Sequence, residues 1–191
     1  DWSLHAKCRI SRRSGDDEES VALRDEVRRV REAPVDSKTK SEFYALLAQR
    51  ELAYGEHFRV LGDSRRTMDS AVVDLDMPQS VRSELGLYHL HPAILDGCFQ
   101  SAAQIVPLEP DGSYSPFTYM PTHIGRLRQF SGLDDASHIY ARRLTPEGDE
   151  SSPELVTCQI SILDSQDRVL VELSDVALTR VGRNSKQNAS D

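Results

Sequence analysis

Basic charge is scarce in this 191-residue sequence: 23 Lys and Arg are set against 31 Asp and Glu, for a net charge of −8. Neutralising phosphates takes clustered Lys and Arg, so the balance argues against a nucleic-acid partner. Long apolar runs are missing too. None approaches the roughly 18 consecutive residues a membrane helix needs, so no membrane partner is expected. The opening "DWSLHAKCRI" also lacks the unbroken apolar core of a signal peptide. Cysteine is limited to Cys8, Cys98 and Cys158, odd in number and far apart. That pattern makes neither a CxxC metal site nor a disulfide framework, and a reducing cytoplasm is the expected location. The first residues are Asp-Trp rather than Met, which leads us to expect a piece of a longer polypeptide.

What is present suits one globular domain with polar segments attached, at 38% hydrophobic and 28% charged residues. Residues 1–10 alternate strictly: Trp2, Leu4, Ala6, Cys8 and Ile10 are apolar and the intervening residues polar. A period of two marks a strand with one face on a core, expected to close a preceding unit. Residues 11–36 read as an interdomain linker. Within it "VALRDEVRRVREAP" offers a short charged helix that stops before Pro34 and has few apolar residues to pack. From Ser37 the pattern predicts a helix carrying Phe43, Leu46, Leu47 and Arg50 on one face, with Ser37 or Ser41 as its cap. A strand ends at Pro78. A helix apolar on most sides then starts at Pro92, a residue suited to the first helical position, and stops at Pro107. Strands are predicted near Thr118 to Thr122, Arg126 to Phe130, His138 to Leu144, Leu155 to Asp164 and Val169 to Val181. Residues 183–191 read as a disordered tail. One helix buried in a curled antiparallel sheet accounts for this order, an α+β hot-dog fold over residues 37–182.

Asp96 and Gln100 stand four residues apart in the buried helix and so share a face. A buried carboxylate without a partner is costly, and the Gln100 amide can supply one. Burial favours the protonated acid, whereas the nearby helix N-terminus favours the carboxylate. Two readings fit this spacing: Asp96 satisfies buried polar groups, or it is an acid able to donate a proton near neutral pH. His89 and His91 flank the helix start without a third ligand at metal spacing, so capping or packing is expected and no metal. Arg126, Arg128, Arg142 and Arg143 suggest a basic patch, either a solvated strand face or a dock for an acidic partner.

"HPAILDGCFQ" (residues 91–100) resembles the HPAxLDxxxQ signature in the second half of polyketide synthase dehydratase domains. "WSLHAKCRI", "FYALLAQRELAYGEHFRVL", "YMPTHIGRLRQF" and "SILDSQDRVLVELSDVALTRV" resemble that family's segments in the same order. The resemblance implies the second half of a double hot dog, with residues 1–10 as the last strand of the first. It implies removal of water from a β-hydroxyacyl thioester carried on the phosphopantetheine of an acyl carrier protein, with no cofactor bound to the chain. Asp96 would be the general acid and Gln100 its orienting partner. Tyr54, His91 and Pro92 would lie at the substrate, and Arg126 and Arg128 would face the carrier protein. Partners implied are an N-terminal half bearing the catalytic histidine and the carrier protein; separately, an exposed hot-dog sheet edge would favour pairing in a homodimer.

Two departures stand out. The family's histidine sits in HxxxGxxxxP, and none of the six histidines here has glycine four residues later. The YGPxF segment reads "YGEHF", with Glu56 in place of proline. Alternatives to dehydration are a non-catalytic acyl-binding scaffold and an isomerase or pyran-forming cyclase on the same fold. Retention of Asp96 and Gln100 favours dehydration, since their loss would cost a scaffold nothing.

Overall fold

The computed structural model describes residues 7–11, 20–50, 52–144 and 152–183. Among these residues four α-helices, α1 (Ser20–Glu32), α2 (Lys40–Gln49), α3 (Gln79–Glu84) and α4 (Pro92–Ala102), accompany seven strands. The strands are β1 (Asp36–Lys38), β2 (Leu61–Arg66), β3 (Ser70–Leu75), β4 (Phe117–Gln129), β5 (Ala136–Arg143), β6 (Leu155–Asp164) and β7 (Val169–Arg183). They form one antiparallel sheet in the order β1-β2-β3-β5-β6-β7-β4.

Both faces of the central strands are covered. On the inner face, Ala71 and Val73 of β3, Ile139 and Ala141 of β5, and Cys158, Ile160 and Ile162 of β6 are buried with Ile94 and Cys98 of α4 and Phe43 and Leu47 of α2. On the outer face, Val72 and Tyr140 join Leu163 beneath Val27 and Val30 of α1. Alternation along β3 and β5 thus sends successive side chains to two separate cores.

The outer core corrects the weak packing expected of the helix within residues 11–36. Helix α1 stops before Pro34 as expected, but Val27 and Val30 are 0% and 2% exposed. Three residues apart, they fall on one face of the helix, and two valines suffice because the sheet offers them an apolar landing. Glu26 adds polar ties, accepting hydrogen bonds from Tyr140 Oη at 2.7 Å and Arg142 at 2.9 Å.

Other expectations shift as well. The cap of α2 is Thr39, not Ser37 or Ser41: its hydroxyl accepts from the Glu42 amide while Glu42 accepts from the Thr39 amide, a capping box. The two strands predicted within 118–130 are one continuous β4. Its register slips at Thr118/Tyr119 and again at Pro121/His123, where proline has no N–H to give the ladder. Of the strand read at 1–10, residues 1–6 lie outside the described residues. Residues 7–10 pair with none of the seven strands, and Ile10 is 92% exposed. The tail expected at 183–191 falls almost wholly outside the described residues. Among those described, no helix is long and apolar enough to cross a membrane.

Helix α4 lies so close to the chain entering β2 that one position admits no side chain. A Cβ on Gly97 would sit 2.8 Å from a methyl of Val60, itself fully buried and stiff at χ1. Gly97→Ala gains helix propensity of about 1 kcal/mol, yet overpacking costs about 1–3 kcal/mol and must displace the helix. We expect net destabilisation, read as a lowered urea midpoint. An unchanged or raised midpoint would show that α4 has room to move.

Candidate functional site

Helix α4 carries the site. His91 is its N-cap and Pro92 occupies the first turn. The His91 Nδ1 accepts the Ala93 amide hydrogen at 3.1 Å, satisfying one donor the helix start leaves unpaired. Its Nε2 therefore carries the ring proton and donates it to Glu84 of α3 at 3.3 Å. The His91 ring is buried, whereas Pro92 is exposed.

Buried residues of α4 face the sheet and α2, but the helix is not enclosed all round as its composition suggested. Leu95, Asp96, Phe99 and Ala103 form a half-buried stripe at i, i+1, i+4 and i+8 spacing. Asp96 thus has apolar neighbours while its carboxyl remains within reach of solvent or a ligand. Its Oδ2 accepts a hydrogen bond from Gln100 Nε2 at 2.7 Å. Burial pushes the carboxyl above its ordinary value and the Gln100 hydrogen bond pulls in the other direction, with burial the stronger. Asp96 is the fifth residue of α4, past the turn where a helix N-terminus acts, so the expected dipole contribution is replaced by this amide.

Gln100 is 2% exposed and fully engaged. Its second amide hydrogen goes to the carbonyl of Phe58 at 3.0 Å, and its Oε1 accepts from Tyr44 Oη at 3.0 Å. Tyr44 in turn accepts the Leu61 amide hydrogen at 3.1 Å. The Tyr54 ring meets the Tyr44 ring edge-on, centroids 6.2 Å apart. The Tyr54 hydroxyl is pushed up to about 12 by burial first, then by the Asp96 carboxylate nearby. Asp96, Gln100 and Tyr54 are therefore gathered in one place. Tyr44 belongs with them and was missed, because a tyrosine beside Phe43 in an amphipathic helix reads as core.

Sequence reading also missed a second cluster. His57 and Glu84 converge on His91, their side-chain ligand atoms all within 4.8 Å of one another. Residues 57, 84 and 91 follow no ligand spacing, and it is the fold that joins them. While Nδ1 of His91 caps α4, its Nε2 is protonated and has no lone pair for a metal. The cluster ties the 56–58 turn and α3 to the start of α4.

The basic patch does not form as one surface. Arg126 and Arg128 lie on β4, separated from Arg142 and Arg143 on β5 by two intervening strands. Arg142 pairs with Glu26, and Arg143 is 9% exposed. Arg128 pairs with Glu172 at 3.6 Å, while Arg126 is exposed.

Residues 22–188 match the sequence profile of the family described as "Polyketide synthase dehydratase N-terminal domain". The phthioceranic/hydroxyphthioceranic acid synthase of Mycobacterium tuberculosis is 32% identical over 133 residues, covering 68% of this chain and 6% of that synthase. Among solved structures, a trans-AT polyketide synthase dehydratase domain from Brevibacillus brevis superposes with a TM-score of 0.73 at 18% identity, over 89% of this chain and 56% of that one. Two inactive variants of the CurK dehydratase, Asp→Asn and His→Phe, superpose with TM-scores of 0.66 and 0.68 at 18% identity, each over 55% of its own length. The chain thus spans about half the length of these dehydratase structures, and its sheet and central helix have the hot-dog fold of the dehydratases. On the extent of the profile match, this chain belongs to the polyketide synthase dehydratase family.

Proposed function

We propose that the chain supplies the acid-bearing half of a dehydratase acting on a β-hydroxyacyl thioester. The observation that carries this reading is the half-buried Asp96 carboxyl, raised by burial and held by Gln100 on the open side of α4. A carboxyl so placed stays protonated at higher pH than a solvated one and can give its proton to a leaving oxygen.

In this reading a base takes the proton on the carbon α to the thioester. The electron pair forms the α,β double bond and the bond from Cβ to oxygen breaks. Asp96 protonates the departing hydroxyl, which leaves as water. The base is assigned to a histidine in a separate N-terminal half, since the HxxxGxxxxP motif is absent from this sequence. The inactive His→Phe and Asp→Asn variants of the CurK dehydratase are in keeping with such a division of labour. The matching profile is named for an N-terminal domain; we assign this chain to the second half on HPAILDGCFQ at residues 91–100.

Tyr54 closes one side of the site, its hydroxyl protonated throughout the neutral range. His91 acts by holding the start of α4, with the exposed Pro92 beside it. The acyl chain is assigned to the phosphopantetheine arm of an acyl carrier protein. Arg126 is the better candidate to meet that protein's acidic surface, because Arg128 is paired with Glu172.

Dehydration of a β-hydroxyacyl thioester, followed by mass spectrometry, tests the proposal on this chain alone and joined to an N-terminal half of about 120 residues. We expect water loss only from the joined protein, falling by about 10²–10⁴ in Asp96→Asn. Full activity in that variant would remove Asp96 from the chemistry.

Stability offers an independent check. Because burial raises the Asp96 value above 3.8, the folded state binds this proton more tightly than the unfolded one. The stability it lends is complete below 3.8 and is lost as pH rises through the raised value. Asp96→Asn has no such proton, so its melting temperature should gain on that of the parent as pH rises from about 4 through the raised value. A constant difference across that window would contradict burial as the dominant influence.

A further inference from the structure

A primary carboxamide has two nearly isosteric orientations, and only one of them serves Asp96. With Nε2 toward Asp96, Gln100 donates to Oδ2 at 2.7 Å and to the Phe58 carbonyl at 3.0 Å. Reversed, its oxygen would meet a carboxylate oxygen and a carbonyl oxygen, with nothing but acceptors facing it. The Phe58 contact favours the working orientation at all times, but the Asp96 contact does so only while Asp96 is ionised. Once Asp96 holds the proton it must donate, its hydroxyl can hydrogen-bond to either end of the amide.

When the acid is loaded the Phe58 carbonyl is left holding one end of the amide, and Tyr44 is placed to hold the other. Its oxygen already accepts the Leu61 amide hydrogen at 3.1 Å, which directs its own proton elsewhere. The Phe58 carbonyl lies 3.5 Å away and Gln100 Oε1 only 3.0 Å, so the proton goes to Gln100. Burial pushes the Tyr44 hydroxyl up to about 12, which keeps it a donor at every working pH. The ring is 6% exposed, with Phe43 edge-on at 5.4 Å and the Arg59 guanidinium over its face at 4.6 Å.

We infer that Tyr44 is a positioning residue that fixes the orientation of the Gln100 carboxamide, and through it the acid, by an uninterrupted relay from the Leu61 amide to Asp96. The inference rests on the proposed role of Asp96 and adds a residue two hydrogen bonds removed from it. Tyr44 touches no reacting atom.

Tyr44→Phe in the joined two-half protein tests the relay. It keeps the ring and its packing, so folding should survive. Activity needs protonated Asp96 and falls as pH rises past its value. Freeing the amide weakens the bond that lowers that value, so the alkaline limb of kcat should move to higher pH. We expect kcat to drop on the order of tenfold, short of the ~10²–10⁴ for loss of the acid itself, with KM little changed. Gln100→Ala should move the limb in the same direction, and Tyr44→Phe should add nothing on that background.

Substitution of Tyr44 by 3-fluorotyrosine provides a second arm, since a more acidic phenol is a stronger donor and should move the limb to lower pH. A limb unmoved in both Tyr44 variants, with Asp96→Asn inactive, would overturn the relay and leave the acid in place. An active Asp96→Asn would overturn both. Equal losses from Tyr44→Phe with and without Gln100 would reduce Tyr44 to packing.

Discussion

The hydrogen bond from Gln100 to Asp96 is what allows a carboxyl group to stand among apolar neighbours on α4. Without a donor at that depth the group would carry its full desolvation cost or remain neutral at all times. The donor is itself a buried amide, so its other valences need partners, and these come from three further places in the chain. Phe58 supplies a carbonyl, Tyr44 a hydroxyl, and Leu61 the amide that completes the Tyr44 oxygen. One side-chain pair thereby dictates where α2, the turn before β2 and the start of β2 must lie. A fully satisfied network of this kind tolerates burial, whereas a half-satisfied one costs more than an apolar core.

Much of this was legible because it depends on spacing alone. Four residues separate Asp96 from Gln100, and proline and histidine at the helix start predict where the helix begins. The strands expected near 138–144, 155–164 and 169–181 were readable because turn residues bound them and each has apolar residues for the inner core. The same logic failed wherever the outcome depended on a distant partner. Val27 and Val30 look too sparse to pack until the outer face of β3 and β5 is there to receive them. The outward-facing side chains on those strands are Val72 and Tyr140, and no local pattern announces which helix will cover them.

The site divides along the same line. Asp96, Gln100 and Tyr54 were found through motif and resemblance, and the structure gathers them. Tyr44 escaped because burial of an aromatic is the ordinary fate of a helix-face residue, and its hydroxyl partner lies 56 residues away. His57, Glu84 and His91 meet only after a turn, a short helix and a cap have been folded. The basic patch went the other way: four arginines close in sequence are divided by the strand order, and two of them, Arg142 and Arg128, are paired with Glu26 and Glu172.

β4 closes the sheet on one side, thirteen residues long and, among the described residues, without a neighbour beyond it. Met120, Ile124 and Leu127 on it are each at least a third exposed. A rim of this length is an unfinished ladder, and backbone groups with no strand beside them turn to water or to another chain. The described sheet is thus unequal at its two ends: β1 offers a rim of three residues and β4 one of thirteen, so the longer row of backbone groups is the one with room for a further strand.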